Sequence, residues 1–213
     1  LMDDHQVRGG ADLRLAPVQG PASDTLSGPE FLLMRACFDP ARFPPSSPRE
    51  GLLICFGGAD HAKDTRGALE ALAAASTRPA PITVIASDVV AERQQLDGLI
   101  RELGSDVQRL SWIDGAEMAE RFSATASALV SSSVLAFEAL AMGAPVVAIE
   151  RVDNQRNHAA TLRRLGVHSV QEIEEAVGLV LSQEAVALPL GQIDALGAGR
   201  VAAHMFGEEE PGR

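Results

Sequence analysis

The chain has 213 residues, of which 46% are hydrophobic and 22% are charged, a composition typical of a globular protein with its own core. With a net charge of −11 and no cluster of Lys and Arg, the sequence excludes broad binding to a nucleic-acid backbone. No apolar run approaches the ~20 residues that cross a bilayer. The N-terminus lacks the basic start and apolar segment of a secretory signal, and we therefore expect a cytoplasmic protein without a membrane partner.

Apolar runs alternate with helical stretches from residue 51 onward, a pattern that predicts an α/β fold. Strands that are apolar along their whole length and separated by helices are typical of a parallel sheet covered on both faces. We therefore predict a doubly wound, Rossmann-like parallel sheet of about six strands. The expected strands are 51–56, 82–86, 107–112, 126–130, 146–149 and 167–170, and the expected helices are 64–75, 89–103, 116–122, 133–142, 154–165, 171–182 and 193–206.

Three segments follow from this pattern. Residues 1–50, which we call the arm, contain Pro, Gly and Ser stretches and end in the stiff connector FPPSSP at 43–48. We expect the arm to be the end of a preceding domain and a linker. Residues 51–206 form the predicted Rossmann-like domain, and 207–213 are an acidic tail that we expect to be disordered. Cys37 and Cys55 are far apart in sequence, which favours reduced thiols over a disulfide.

Small residues follow two of the predicted strands, where a parallel sheet binds its ligands. Gly57 and Gly58 end the first strand and would let backbone approach a ligand closely, although a Gly pair is also ordinary turn chemistry. Ser131 to Ser133 follow the fourth strand and open a helix. Their hydroxyls and N–H groups would suit a diphosphate at the positive end of the helix dipole, or they would simply cap the helix.

Glu138 stands in a helix whose other residues are almost all apolar or small. One interpretation is a solvated helix face, since charged residues are seldom fully buried. The other is a carboxylate that accepts hydrogen bonds from two vicinal hydroxyls of a ribose. Asn154 and Gln155, after the fifth strand, could contact a sugar or phosphate, or Asp153-Asn154 could be an N-cap.

Taken together, these stretches resemble the C-terminal half of the UDP-sugar hydrolases of pseudaminic acid biosynthesis, which share the two-domain GT-B fold with the peptidoglycan N-acetylglucosaminyltransferases. The segments that carry the resemblance are LSGPEFLLMR at 26–35, LLICFGGAD at 52–60, SSSVLAFEALAMGAPVVAIERVDNQ at 131–155 and DALGAGRVA at 194–202. Four motifs in this order are far more specific than any one of them.

The resemblance implies a partner, UDP or a UDP-sugar, and a role for each matching residue. It implies that Glu138 holds the ribose, that Ser132 and Ser133 hold phosphate, and that Asn154 and Gln155 contact sugar and phosphate. The loop after the third strand would meet the uracil edge through backbone at Ile113. No cofactor is implied, and the sequence shows no metal-binding motif.

The sequence also departs from the family. Its members begin with a complete Rossmann-like domain whose glycine-rich loop carries a histidine implied to be the catalytic base, and no GxGH sequence occurs here. A positioned base typically contributes ~10² to 10⁴-fold, so we expect little or no hydrolysis of a 2,4-diacetamido-trideoxy-hexose donor by this chain alone. The alternatives are a glycosyltransferase donor domain, or a non-catalytic nucleotide-binding protein whose open cleft is covered by a second copy or another chain.

Overall fold

The computed structural model describes residues 14, 15, 17, 18, 25–57, 63–86 and 90–206. Near the N-terminus two short strands, β1 (Arg14–Leu15) and β2 (Thr25–Leu26), pair in parallel. The predicted tail at 207–213 lies outside the described residues.

Six parallel strands form the main sheet, as the sequence predicts. They are β3 (Glu50–Cys55), β4 (Ile82–Ile85), β5 (Val107–Leu110), β6 (Thr125–Ser131), β7 (Val146–Ile149) and β8 (His168–Val170). Their order across the sheet is β5-β4-β3-β6-β7-β8. The chain runs outward from β3 to β5 and then returns to place β6 beside β3, so the winding direction reverses between these two central strands.

Helices cover both faces of this sheet. They are α1 (Lys63–Ala74), α2 (Val90–Leu103), α3 (Gly115–Ala124), α4 (Val134–Ala141), α5 (Arg156–Arg164), α6 (Ile173–Leu181) and α7 (Gly197–Phe206). Alternate residues of β3 point to opposite faces. Leu52 and Ile54 pack in the cluster formed with α1, α2 and α6, whereas Leu53 and Cys55 pack in the cluster formed with α3, α4 and α5. The sheet is therefore doubly wound.

The later part of the arm packs into the second of these clusters. Leu32, Met34 and Phe38 are buried there, and the rings of Phe38 and Phe122 of α3 lie 6.3 Å apart. Burial on this scale stabilises arm and sheet together. The origin of residues 1–50 as the end of a preceding domain stays a prediction.

The C-terminal helix α7 also contacts the arm. A Cβ on Gly197 would lie 2.2 Å from the carbonyl oxygen of Leu32, so only glycine allows this approach. Arg200 donates to both carboxylate oxygens of Asp194, at 2.7 and 2.6 Å, and to the carbonyl of Glu30. These hydrogen bonds hold the pKa of Asp194 below its usual range.

Two predicted boundaries are wrong by several residues. The third strand was expected to reach residue 112, but β5 ends at Leu110, which leaves Trp112 in the following loop. The last helix was expected from 193, but α7 begins at Gly197 because the Asp194 carboxylate accepts from the Leu196 N–H and forms a turn instead. Within the described ranges, no helix is long and apolar enough to cross a membrane.

Candidate functional site

The reversal of winding between β3 and β6 marks the expected ligand crevice. In open α/β sheets, ligands bind outside the carboxyl ends of the strands at this switch point, where neighbouring loops diverge to opposite faces. The loop after β3 begins at Phe56-Gly57, and the loop after β6 is Ser132-Ser133. Two of the sequence-predicted elements therefore lie on either side of the crevice.

Gly57 adopts a positive φ of 88°, a conformation that side-chain-bearing residues rarely take. A glycine at this point lets the chain leave the sheet sharply. Gly58 lies outside the described residues, so its predicted contact stays a prediction.

Helix α4 begins at the other side of the crevice. Ser133 is its N-cap, and its hydroxyl lies 3.3 Å from the Leu135 N–H, which donates to it. The same hydroxyl shares a 2.8 Å hydrogen bond with Ser131. Residues 133–135 are partly exposed, whereas 136–141 are buried. The first turn of α4 thus lies at the positive end of the helix dipole in a partly exposed position, with the Leu135 N–H already bonded to the Ser133 hydroxyl.

Ser132 is placed differently from its neighbour. Its side chain is fully buried, its hydroxyl shares a 2.7 Å hydrogen bond with Ser169 of β8, and its N–H donates to the carbonyl of Ile149. The polar groups of Ser132 therefore tie the turn to the neighbouring strands. The predicted phosphate contact of Ser132 stays a prediction, and in this structure its hydroxyl faces the protein interior.

Glu138 is buried, with an exposed fraction of 5%, which rules out the solvated helix face. Its partner is Arg35 of the arm, 103 residues away in sequence. Arg35 Nε donates to Glu138 Oε1 at 3.1 Å, and Arg35 Nη2 donates to Oε2 at 3.0 Å. This two-pronged pair satisfies a carboxylate that would be costly to bury alone.

Arg35 is itself held by its surroundings. Its guanidinium lies over the ring of Phe38, 4.7 Å from the centroid. A Cβ on Gly115 would lie 3.0 Å from Arg35 Nη1 and 2.8 Å from Cys37 Sγ, so the absence of a side chain there leaves room for the guanidinium. The hydrogen bonds to Glu138 raise the pKa of Arg35 above its ordinary value.

The loop after β5 joins this cluster. Because Gly115 borders Arg35, the loop at 111–114 runs past the Arg35–Glu138 pair. Ile113 packs partly buried against the core, and the adjacent Trp112 is 77% exposed. Sequence reasoning placed Trp112 inside a strand and missed it. An exposed indole offers a flat apolar face for stacking.

Asn154 and Gln155 lie at the carboxyl end of β7, in a short 3₁₀ turn, Asp153–Gln155, that precedes α5. Asn154 is exposed, and Gln155 Oε1 accepts from the Arg151 N–H at 2.8 Å. The alternative of a simple N-cap is wrong, because neither the turn nor α5 has a side-chain cap and Asp153 instead pairs with Arg156 at 2.9 Å.

The cavities found elsewhere in the described structure are less suitable as a ligand site than the switch point between β3 and β6. Two cavities of about 340 and 570 Å³ open at the amino ends of the strands, around Glu50 and Pro81 and around Gly51 and Pro145, which is the edge opposite to the one where such sheets bind ligands. A smaller cavity of about 250 Å³ lies at the carboxyl edge beside Arg151 and Arg156. In the part of the chain that the structure describes, no three His, Cys, Asp or Glu residues are grouped as a metal ion would need.

Among solved structures, three similar proteins are a putative UDP-N-acetylglucosamine 2-epimerase from Listeria monocytogenes, MurG from Acinetobacter baumannii and a sucrose-phosphate synthase from Thermosynechococcus elongatus. Their TM-scores are 0.61, 0.58 and 0.52, with identities of 14%, 16% and 22%, over 94%, 87% and 87% of this chain. At these identities the likeness shows the fold alone, which is the Rossmann-like parallel sheet of one half of a GT-B fold. The chain spans 62%, 57% and 54% of the lengths of these proteins. No protein-family model matches the chain, and no curated protein matches it.

Proposed function

We propose that this chain binds a uridine diphosphate sugar in the crevice at the switch point, with Glu138 gripping the ribose. The observation that carries the proposal is the burial of this one carboxylate in an otherwise apolar helix, five residues beyond the serine turn that opens α4. A rise of about 1.5 Å per residue places it about 7.5 Å along the axis from Ser133. That spacing suits a ligand whose diol and diphosphate are held by one helix.

The pairing with Arg35 leaves Glu138 able to bind. A carboxylate has about four lone-pair sites, and Arg35 takes one on each oxygen. The remaining lone pairs accept hydrogen bonds from the 2′ and 3′ hydroxyls of the ribose. Hydrogen bonds to a charged group stabilise by about 1.5–3 kcal/mol each.

The diphosphate is assigned to the first turn of α4, where the Ser133 hydroxyl and the positive end of the helix dipole would stabilise its charge. In this proposal the base lies against the loop after β5, with its edge on the backbone of Ile113 and its face on Trp112. Asn154 and Gln155 reach the sugar from the end of β7. One structurally similar protein, Os79 of O. sativa, with a TM-score of 0.51, was solved in complex with UDP.

Titration calorimetry with UDP, UMP and ADP tests the proposal. We expect the wild type to prefer UDP, and Glu138→Ala to lower UDP affinity by about a hundredfold or more because two hydrogen bonds to the carboxylate are lost. The matched control is Glu70→Ala, since Glu70 makes only an exposed ion pair with Arg66 on α1. Equal binding of all three nucleotides, or an unchanged affinity in Glu138→Ala, would refute the proposed site.

The finer proposal is that the chain is the donor-binding part of a hydrolase of UDP-linked amino sugars, with little or no hydrolysis by this chain alone because no GxGH histidine is present to act as the base. A glycosyltransferase uses the same donor site, and the two differ in whether water or a sugar hydroxyl attacks the anomeric carbon. UDP release from a UDP-amino sugar, measured with and without a sugar acceptor, separates them. Release in water alone supports hydrolysis, and release only with the acceptor supports transfer. Binding without release leaves a nucleotide-binding protein.

A further inference from the structure

We propose that Arg35 is a positioning residue for nucleotide recognition: it fixes the Glu138 carboxylate so that its free lone pairs face the ribose diol. The inference rests on the proposed function and goes beyond it, because it assigns part of the nucleotide specificity to a residue of the arm. Its basis is the two-pronged contact of 3.1 and 3.0 Å between the guanidinium and both carboxylate oxygens.

Glu138 needs such a partner because its side chain has three rotatable bonds. A carboxylate that must meet two adjacent hydroxyls has to hold both its direction and its plane. The Arg guanidinium is a planar fork that sets both at once, whereas a Lys ammonium is a point charge that sets neither. The 3.1 and 3.0 Å bonds to Oε1 and Oε2 therefore fix the orientation of the Glu138 carboxylate.

The position of the Arg35 guanidinium is in turn fixed by Phe38 and Gly115. Phe38, whose ring lies under it at 4.7 Å, is fully buried and packs against Phe122 of α3. Gly115, at the start of α3, leaves the space that Arg35 Nη1 fills. The orientation of Glu138 thus depends on how the arm packs against α3.

The exposure of the pair indicates a role beyond neutralising a buried charge. The Arg35 side chain is 53% exposed, and the Glu138 side chain is 7% exposed. The guanidinium therefore borders solvent beside the carboxylate that it holds, and in this proposal it forms one wall of the diol subsite. Because Arg35 contacts Glu138 rather than the ligand in this arrangement, its effect is on how well the ribose is recognised.

The test compares UDP with 2′-deoxy-UDP by titration calorimetry in wild type, Arg35→Lys, Arg35→Met and Glu138→Ala. The deoxy nucleotide lacks one of the two hydroxyls, so the ratio of the two affinities reports recognition of the diol. The control is Arg101→Met, since Arg101 is exposed and donates to Asp97 of its own helix. Circular dichroism and the thermal midpoint of each variant check that it is folded.

We expect the wild type and Arg101→Met to prefer UDP by about tenfold or more, the effect of one hydrogen bond to a charged group. In Arg35→Met the preference should fall to about threefold or less. Arg35→Lys keeps the positive charge beside Glu138, so it stays folded even if the Met variant does not, and its preference should also fall several-fold.

Two results would overturn the inference in different ways. If Glu138→Ala abolishes the preference while both Arg35 variants keep the wild-type ratio, Arg35 has only a structural role and the proposed function stands. If the wild type binds UDP and 2′-deoxy-UDP equally, or binds neither, the ribose subsite itself is refuted and the positioning role falls with it.

Discussion

At the scale of single residues, the serine turn shows how similar side chains divide their tasks. Ser133 caps α4 and is partly exposed, whereas Ser132 turns inward to Ser169. The difference arises because the chain is still leaving β6 at Ser132, whose N–H pairs with the neighbouring strand at Ile149. The helix begins only after this last hydrogen bond between the strands.

This division predicts different outcomes for two alanine substitutions. Ser133→Ala removes the N-cap, so we expect a loss of about 1 kcal/mol in stability together with weaker UDP binding. Ser132→Ala leaves the buried Ser169 hydroxyl without its partner, so we expect a loss of about 1–3 kcal/mol with a smaller effect on UDP affinity. Urea denaturation and calorimetry measure the two quantities. A larger loss of affinity in Ser132→Ala than in Ser133→Ala would contradict this assignment.

At the scale of elements, α4 is a helix of only eight residues, and its two ends are stabilised by different parts of the chain. Its N-terminus is capped by Ser133. Beyond its C-terminus, Gly143 has a φ of 69°, the conformation that ends many helices. Arg49 donates there to the carbonyl of Met142, and it also donates to the carbonyl of Phe122 near the end of α3. Burial lowers the pKa of Arg49.

Replacing Arg49 tests how much this cation contributes to the free energy of unfolding. Arg49→Met removes hydrogen bonds to the carbonyls of Phe122, Thr125 and Met142. We therefore expect the free energy of unfolding to fall by about 1–3 kcal/mol. Urea denaturation checks this value against Arg101→Met, for which a change within about 0.5 kcal/mol is expected. Equal stabilities of the two variants would show that the helix ends do not depend on Arg49.

At the scale of the whole molecule, the arm and the sheet share one core. Phe38, Phe122 of α3 and Phe137 of α4 are all buried in the same cluster. The C-terminal helix α7 closes over the arm through Gly197. The proposed site at the carboxyl edge therefore combines residues from the arm, from the loop after β5 and from α4.

A shared core predicts cooperative unfolding. Phe38→Ala should lower the free energy of unfolding by about 3–5 kcal/mol, the usual cost of an emptied aromatic site. The single Trp, Trp112, reports on the loop after β5 by fluorescence, and far-UV circular dichroism reports on the helices. We expect both signals to change in one transition at a lower urea concentration than in wild type. Two separate transitions, or an unchanged midpoint, would show that the arm is independent of the sheet.

The sequence by itself determined the succession of strands and helices along the chain, because hydrophobic runs and their spacing indicate which faces are buried. It also singled out Glu138, since a lone carboxylate in an apolar helix is unusual whatever surrounds it. Only the tertiary structure decided its partner. Arg35 lies 103 residues away, and nothing in its local sequence, FLLMRACF, indicates the acid with which it pairs.

Dependence on tertiary contacts also explains the other differences between the predicted and the observed structure. Local sequence predicts that serines begin a helix, but the direction of each hydroxyl depends on which strand lies alongside, so the inward bond from Ser132 to Ser169 was not predictable. Trp112 looked like the end of a strand because of its β propensity. Its exposure follows from the end of pairing between β4 and β5 at Ile85 and Leu110, a tertiary event that no local pattern records.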